Sequence, residues 1–543
     1  MKKTITIYFT LFLLVTSWSC NEDEFFEMDR PQETQWTNTT TFDQGLATAY
    51  FALNYRTRGI PQMMDFASSG VSQLLPGTST GAAWNEMYNR LFNQNHSHTN
   101  DMWTNLYNAI TISNFAIELD QKNAGNPFRL LPSSTDYKDN YTRQIGEYYF
   151  VRAFSYYLLV RTFAPPYDHK GANTGTFIPL KTKVPTNRAE ILEESLGTNE
   201  AVYNQIIADL LLAKEKLPAA YNAATMLPTY LAGRATKYSA AALLSKVYFV
   251  KGDYAKAITE SDFVITASET ARRYELEEPI QAFNKNTANN IPKETILEYN
   301  TGDPSVGNGE QTSSYMYWGW IISLQDRDAD DFGRGAGMRK SGTNQFTLSY
   351  WAINKTGWMA DPLKGDYTIT DEAKQDLRFT QVYYPLLAYK AGADPFLYET
   401  LAAHSKVDKP QIYVDKYFRG GPGDGRYSKF PLIRLADIYL VRAWLRWKSG
   451  DNAGAAADLN KVWNRANPTR LNKFTTANVS HEAILAEYIK EMSGEGWTLD
   501  FMVGTQMDIP AGDRTNVAAI APPYSAWKWV VPAAEKSLNP DYQ

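Results

Sequence analysis

Tyr315-Met316-Tyr317-Trp318-Gly319-Trp320 places four aromatic side chains within six residues of a polar, glycine-rich stretch, and Trp351 and Trp358 follow in the same region. A pyranose ring has an apolar C–H face and a rim of hydroxyls, so flat aromatics beside Asn, Asp, Arg or Gln are the chemistry of sugar recognition. Tyr317, Trp318 and Trp320 are therefore candidate ligand contacts. A region this large also needs its own apolar centre, so some of its tryptophans are expected to be core. Asp65 and Arg334, read as loop residues, are candidate hydroxyl ligands by position.

Other constellations carry less. Asp326-x-Asp328-x-Asp330-Asp331 alternates carboxylates as a calcium loop does, but Asp331 and Gly337 stand where an EF-hand needs Gly and Glu, so a solvated acidic turn is expected. His96-x-His98 with Asp101 would have to converge from positions that diverge on a helix, so no metal is expected there. No HExxH, Gly-x-Ser-x-Gly, phosphate-binding loop or cysteine nucleophile is present. The expectation is a binding protein without cofactor rather than an enzyme, although 59 acidic residues leave a two-carboxylate glycosidase open.

Composition agrees with a folded chain: 543 residues, 44% hydrophobic and 14% aromatic. The 54 Lys and Arg against 59 Asp and Glu, with no basic block, argue against nucleic acid as partner. Lys2 and Lys3, the apolar run Ile5 to Val15 and Thr16-Ser17-Trp18-Ser19-Cys20 form a secretion signal too short to span a bilayer, which takes about 20 residues. The sole cysteine, Cys20, ends that run. The arrangement resembles a bacterial lipoprotein signal with Cys20 as the lipidated mature N-terminus, though Ser17 stands where leucine is usual. The acidic Glu22-Asp23-Glu24 that follows resembles a surface-export tag, with a solvated tether as the alternative.

The elements that must position these residues are mostly helical. Thr41-Phe42-Asp43-Gln44 has the form of a capping box, with Phe42, Leu46, Ala49 and Leu53 on one face. Further helices are predicted over Asp101 to Asp120, Ile145 to Val160, Ala201 to Leu217, Ala235 to Lys251, Tyr254 to Ile265, Pro431 to Lys448 and Ala453 to Ala466, with a Gly/Pro/Ser-rich connection from Ile60 to Gly81. Trp103 and Tyr107 fall on helical spacing and read as core. The spacing Ser245/Gly252/Ala257 recurs as Ala443/Gly450/Ala455, a small residue, a helix-ending glycine and a small seat, which resembles the tetratricopeptide hairpin. Between them, residues 274–429 lack helical period and carry short β-prone pieces at Thr295 to Tyr299 and Gln411 to Phe418. The expected organisation is a signal peptide (1–19), a lipidated tether (20–40), an N-terminal helical half (41–273), a ligand-bearing insertion (274–429) and C-terminal helices with a tail (430–543).

Phe430-Pro431-Leu432-Ile433-Arg434-Leu435-Ala436-Asp437-Ile438-Tyr439-Leu440-x-x-Ala443 resembles the signature of the SusD/RagB family of outer-membrane nutrient-binding lipoproteins. Trp103-x-x-Leu106-Tyr107-x-x-Ile110-x-x-x-Asn114, Glu147-x-x-x-x-Arg152-Ala153-x-x-Tyr156, Ile178-Pro179-Leu180, Val531-Pro532 and Asn539-Pro540 agree with it in order. One segment departs: Glu495-Gly496-Trp497-Thr498-Leu499-Asp500-Phe501 lacks the arginine usual there, which puts a local buried ion pair in question.

The resemblance implies a mostly α fold with four tetratricopeptide-like helix pairs and a large irregular insertion with short strands. It further implies a cell-surface lipoprotein that captures oligosaccharides, or in some members peptides, for a SusC-like TonB-dependent transporter. The helical platform would face that partner. Family members commonly place a binding tryptophan and asparagine in the loop before the second helix, which makes Trp84 and Asn85 candidates, Trp84 the first of them.

Overall fold

The computed structural model describes residues 36–55, 59–74, 82–187, 190, 196–227, 230–283, 291–299, 346–386, 409–416 and 430–542. Helix α1 (Thr39–Tyr50) begins earlier than expected. Asn38 is its cap: the Asn38 side chain accepts the Thr41 N–H at 3.0 Å while the Thr41 hydroxyl accepts the Asn38 N–H at 3.3 Å, so Thr41 closes the box rather than opening it. The stretch read as a connection holds α2 (Ile60–Ser68) and β1 (Ser72–Leu74). Gly59 enters α2 at φ +70° and Pro61 occupies its first turn, where a missing N–H costs nothing.

A short helix α3 (Ala82–Tyr88) leads to α4 (Ser97–Lys122), α5 (Thr142–Phe163), α6 (Asn199–Lys216), α7 (Lys237–Lys251) and α8 (Tyr254–Ala271). After the insertion come α10 (Leu435–Lys448), α11 (Asn452–Ala466), α12 (His481–Met492) and α13 (Thr498–Thr505), with α9 (Tyr350–Thr356) inside it. Helix α1 packs on α4, α4 on α5, α5 on α6, α6 on α7, α7 on α8, α8 on α10 and α10 on α11. That row of eight helices is four pairs. Every residue of α5 except Thr142 and Arg161 is buried, as a helix in the middle of a stack must be.

The two hairpins foreseen from their shared spacing are present. Gly252 and Gly450 end their helices at φ +81° and +90°, a region open to glycine without a Cβ clash. Ala257 and Ala455 are fully buried, and the Ser245 hydroxyl donates to the Ala257 carbonyl at 3.2 Å, so the α7 and α8 backbones approach closely there.

Paired strands pin the described parts of the insertion to this stack. Strand β4 (Thr295–Tyr299) runs antiparallel to β10 (Phe430–Arg434), so Pro431 belongs to a strand and the helix expected from it starts at Leu435. Strand β5 (Phe346–Leu348) pairs with β1, β6 (Met359–Asp361) with β7 (Asp366–Ile369), and β8 (Tyr383–Leu386) with β9 (Gln411–Val414), while β2 (Thr176–Pro179) and β3 (Leu196–Thr198) pair between α5 and α6. Behind them lies a buried ion cluster: Arg434 reaches Glu294 at 2.9 Å, Glu491 at 3.0 Å and Glu495 at 2.7 Å, and Lys416 reaches Glu495 at 2.7 Å. The ion pair left in question by the missing arginine is thus made from elsewhere in the chain. Arg161 of α5 sits 2.9 Å from Asp500, with its guanidinium over the Trp497 ring. One continuous apolar core runs from Phe42 to Val531.

Candidate functional site

Trp84 lies on α3, not on a loop, and only 5% of it is exposed. Its ring packs 4.4 Å from that of His98 in the first turn of α4. His96 caps α4: its Nδ1 accepts the Thr99 N–H at 3.2 Å, and its Nε2 lies 2.9 Å from the Ala83 carbonyl, which requires the proton on Nε2. Burial lowers the His96 pKa, so this neutral tautomer is the form at pH 7. The His96 ring then meets Trp529 at 5.0 Å, and Trp529 meets Phe92 at 4.9 Å. Trp84 is therefore one member of an aromatic plug that locks α3 and the C-terminal segment onto α4. The expectation of a stacking platform at Trp84 is corrected to a packing role.

What this corner presents to solvent is polar. Asn85 is exposed, and its side-chain carbonyl accepts from the Asn89 amide at 2.8 Å; the Asn93 amide donates to Glu86 at 2.7 Å. Asn85 and Asn89 are spaced by four, so one turn brings their amides together at the point where α3 ends, at Tyr88. Trp103 is 5% exposed against Tyr107 and Phe163, as expected of core, and Tyr107 donates its hydroxyl to the Pro179 carbonyl at 2.9 Å.

Within the insertion, Trp358 is fully buried between Phe379 and Tyr383 and supplies the apolar centre anticipated for it. Trp351 is half-buried on α9, where the backbone N–H groups of Tyr350 and Trp351 both donate to Asp513. Tyr317, Trp318, Trp320 and Arg334 lie outside the described residues, as do Cys20 and the Asp326 to Asp331 run.

Asp65 is not a loop ligand. It sits in α2, 1% exposed, and its two oxygens accept the Leu499 N–H at 2.7 Å and the Thr498 N–H at 3.2 Å. It caps α13 from a position more than four hundred residues earlier. Burial pushes its carboxyl up to about 6 against the pull of Arg161, whose guanidinium is 3.8 Å away. A hydroxyl ligand could not reach it without unseating that helix end.

Among the described residues no three His, Cys, Asp or Glu side chains gather as a metal site, and no helix is long and apolar enough to cross a membrane. Two family models match the chain: one described as "Starch-binding associating with outer membrane" over residues 24–249, and one described as the SusD family over residues 294–500. SusD-like protein P2 of Formosa agariphila is 31% identical over 217 residues, a match spanning 36% of this chain and 39% of that protein. A SusD superfamily protein from Bacteroides thetaiotaomicron superposes with a TM-score of 0.68 at 20% identity, covering 93% of this chain and 99% of the other. A laminarin binding SusD-like protein does so at 0.59 and 20%, covering 90% and 100%. Surface glycan-binding protein A from Bacteroides fluxus gives 0.61 and 18%, covering 90% and 94%. At these identities the three structures speak for the fold alone. One model spans the N-terminal helices and the other runs from β4 through α12 into α13, and on that ground the chain belongs to the SusD/RagB family.

Proposed function

We propose that this protein is a cell-surface glycan-binding lipoprotein that captures oligosaccharides and delivers them to a SusC-like TonB-dependent transporter, without acting on them chemically. The observation that carries this reading is family membership, one matching model being described as starch-binding and outer-membrane-associating. Solved proteins of the same fold are named for laminarin and surface-glycan binding, which supports the same ligand class. Lipid on Cys20 would hold the chain at the outer membrane, facing outward. The ligand face would combine Asn85 and the Asn89 amide bonded to it with the aromatic cluster Tyr317, Trp318 and Trp320 and with Arg334. Trp84 would hold that corner rigid from behind.

Titration of the acyl-free fragment beginning at Asn21 against laminarin, starch and cellulose oligosaccharides and a peptide panel tests the reading. Glycan binding with a dissociation constant of about 1 μM to 1 mM is expected, since a ligand that must be released gains nothing from tighter capture. Peptide binding without glycan binding overturns the ligand class. Shorter sugars after prolonged incubation overturn the non-catalytic role.

A further inference from the structure

A cavity of about 870 Å³ opens on the helical stack, between the C-terminal half of α4, the middle of α5, α6, the segment from Leu180 to Thr186 and Glu190. That volume lies in the range of roughly 300 to 1,000 Å³ typical of sites for small organic ligands. It is far from the α3 corner. Glu118 stands twenty residues beyond His98 on one helix, which at 1.5 Å per residue is about 30 Å.

The lining shows what such a ligand must be. Glu118, Glu190 and Asp209 face Arg152, Lys181 and Lys183, so the cavity carries no net charge. Most of these groups are already engaged. Arg152 clasps Asp209 through Nε at 2.8 Å and Nη2 at 2.7 Å, Glu118 takes the Val184 N–H at 2.6 Å, Glu190 takes the Thr186 N–H at 2.6 Å, and Lys181 lies over the Tyr107 ring. Lys183 is exposed to solvent, so an anion or a cation held inside the cavity would have to compete with one of these contacts. What remains is an apolar patch of Ile117, Leu180 and Leu212 beside Tyr149, with the side-chain amides of Gln121 and Gln205. Gln205 donates to Asp209 at 2.9 Å, which holds its amide in place, and Gln121 lines the same cavity as Tyr149. An apolar floor, one aromatic ring and two side-chain amides, in a lining without net charge, suit a polyol with a C–H face.

We propose that this cavity is a second saccharide site, on the helical platform, for a neutral di- or trisaccharide. It shares only the ligand class with the function proposed above and does not depend on binding at the α3 corner. The site would hold a short end of a chain while the other face holds a different stretch, so that one protein grips an oligosaccharide ligand at two places or holds two.

The test uses laminaritriose, maltotriose and cellotriose at about 10 mM, a level chosen for millimolar affinity. Covalent footprinting of the acyl-free chain should show saccharide-dependent protection within residues 117–121, 180–186 and 205–212. Ala208 lines the cavity from the exposed side of α6, so Ala208→Trp should fill it without disturbing the core, leave the melting curve unchanged and abolish that protection. Gln205→Ala should weaken it about tenfold or more and serves as the check should Ala208→Trp fold poorly. Protection confined to other surfaces, or undiminished in both variants, overturns this inference and leaves capture at the loop face standing. No protection in this cavity by any of the three sugars overturns it as well.

Discussion

Two arginine clasps hold helix pairs of the stack, one in its middle and one at its end, and they are built from the same dipeptide. Arg152-Ala153 on α5 grips Asp209 of α6, and Arg442-Ala443 on α10 grips Asp458 of α11; in each the Nε and Nη2 groups donate to the two carboxylate oxygens at 2.6 to 2.8 Å. The planar guanidinium matches a carboxylate in this two-pronged way and lysine could not replace it. Their surroundings differ. The third prong of Arg152 goes to neutral Asn114 at 2.8 Å, whereas that of Arg442 goes to Asp262, 44% exposed, at 2.7 Å, and Arg446 also reaches Asp458 at 3.1 Å. The clasp is local, set by a helix pair. Beyond the pair the two diverge: an open cavity flanks the first clasp, while a carboxylate from α8 and a second arginine of α10 flank the other.

The sharpest way to break the comparison is Arg152→Ala. It strands Asp209, whose side chain is 1% exposed, with the Gln205 amide as its remaining hydrogen-bond partner among the described residues, and should cost about 3 to 5 kcal/mol in denaturant unfolding. Arg442→Ala should cost less, about 1 to 2 kcal/mol, because Arg446 remains beside Asp458; equal losses in the two variants would show that the spare cation is idle. Replacing both members of the first clasp, Arg152→Met with Asp209→Leu, should fall within about 1 kcal/mol of wild type, since paired charges in a core can be exchanged for packed apolar groups at little cost. A large loss there would assign the clasp more than a filling role.

The smallest effect is one of pH. Asp65 has no two-pronged partner, only Arg161 at 3.8 Å, and burial raises its carboxyl from 3.8 to about 6. Below 3.8 both folded and unfolded forms are protonated; between 3.8 and about 6 only the folded form is. Its contribution to stability is therefore complete at low pH and is lost as pH rises through about 6. Wild type should gain on Asp65→Asn as pH falls from about 6 to about 4, and parallel midpoints across that window would refute the assignment.

Periodicity made most of the stack legible, because a helix buried on one face writes its own spacing. It misplaced what depends on partners. Pro431 looked like a helix start because Leu432, Ile433 and Leu435 are apolar, yet β4, more than a hundred residues earlier, recruits that segment into a sheet. Asp65 looked like a loop residue near glycine, and nothing local announces that Thr498 and Leu499 bring their N–H groups to it. Trp84 is a platform candidate only through the family resemblance; its burial beside His98 belongs to a plug that is completed by Trp529, far along the chain. The cavity beside Arg152 was not readable at all, being the space left between three helices.

The contact of α8 with α10 joins positions 271 and 435, with 163 residues of chain between. Closing so long a loop is an entropic matter that grows only with the logarithm of length, so doubling the insertion would add about 0.6 kcal/mol. The stack can therefore carry insertions of very different size at nearly constant cost, which lets ligand-bearing loops be exchanged while the frame is kept. The same loop sets the order of events on folding. Helices α5 to α7 are near neighbours in sequence, while the Lys246–Asp437 pair must wait for closure. Pulse-labelled hydrogen exchange should find the α5 to α7 amides protected before those of α10, and simultaneous protection would mean that the frame forms in one step.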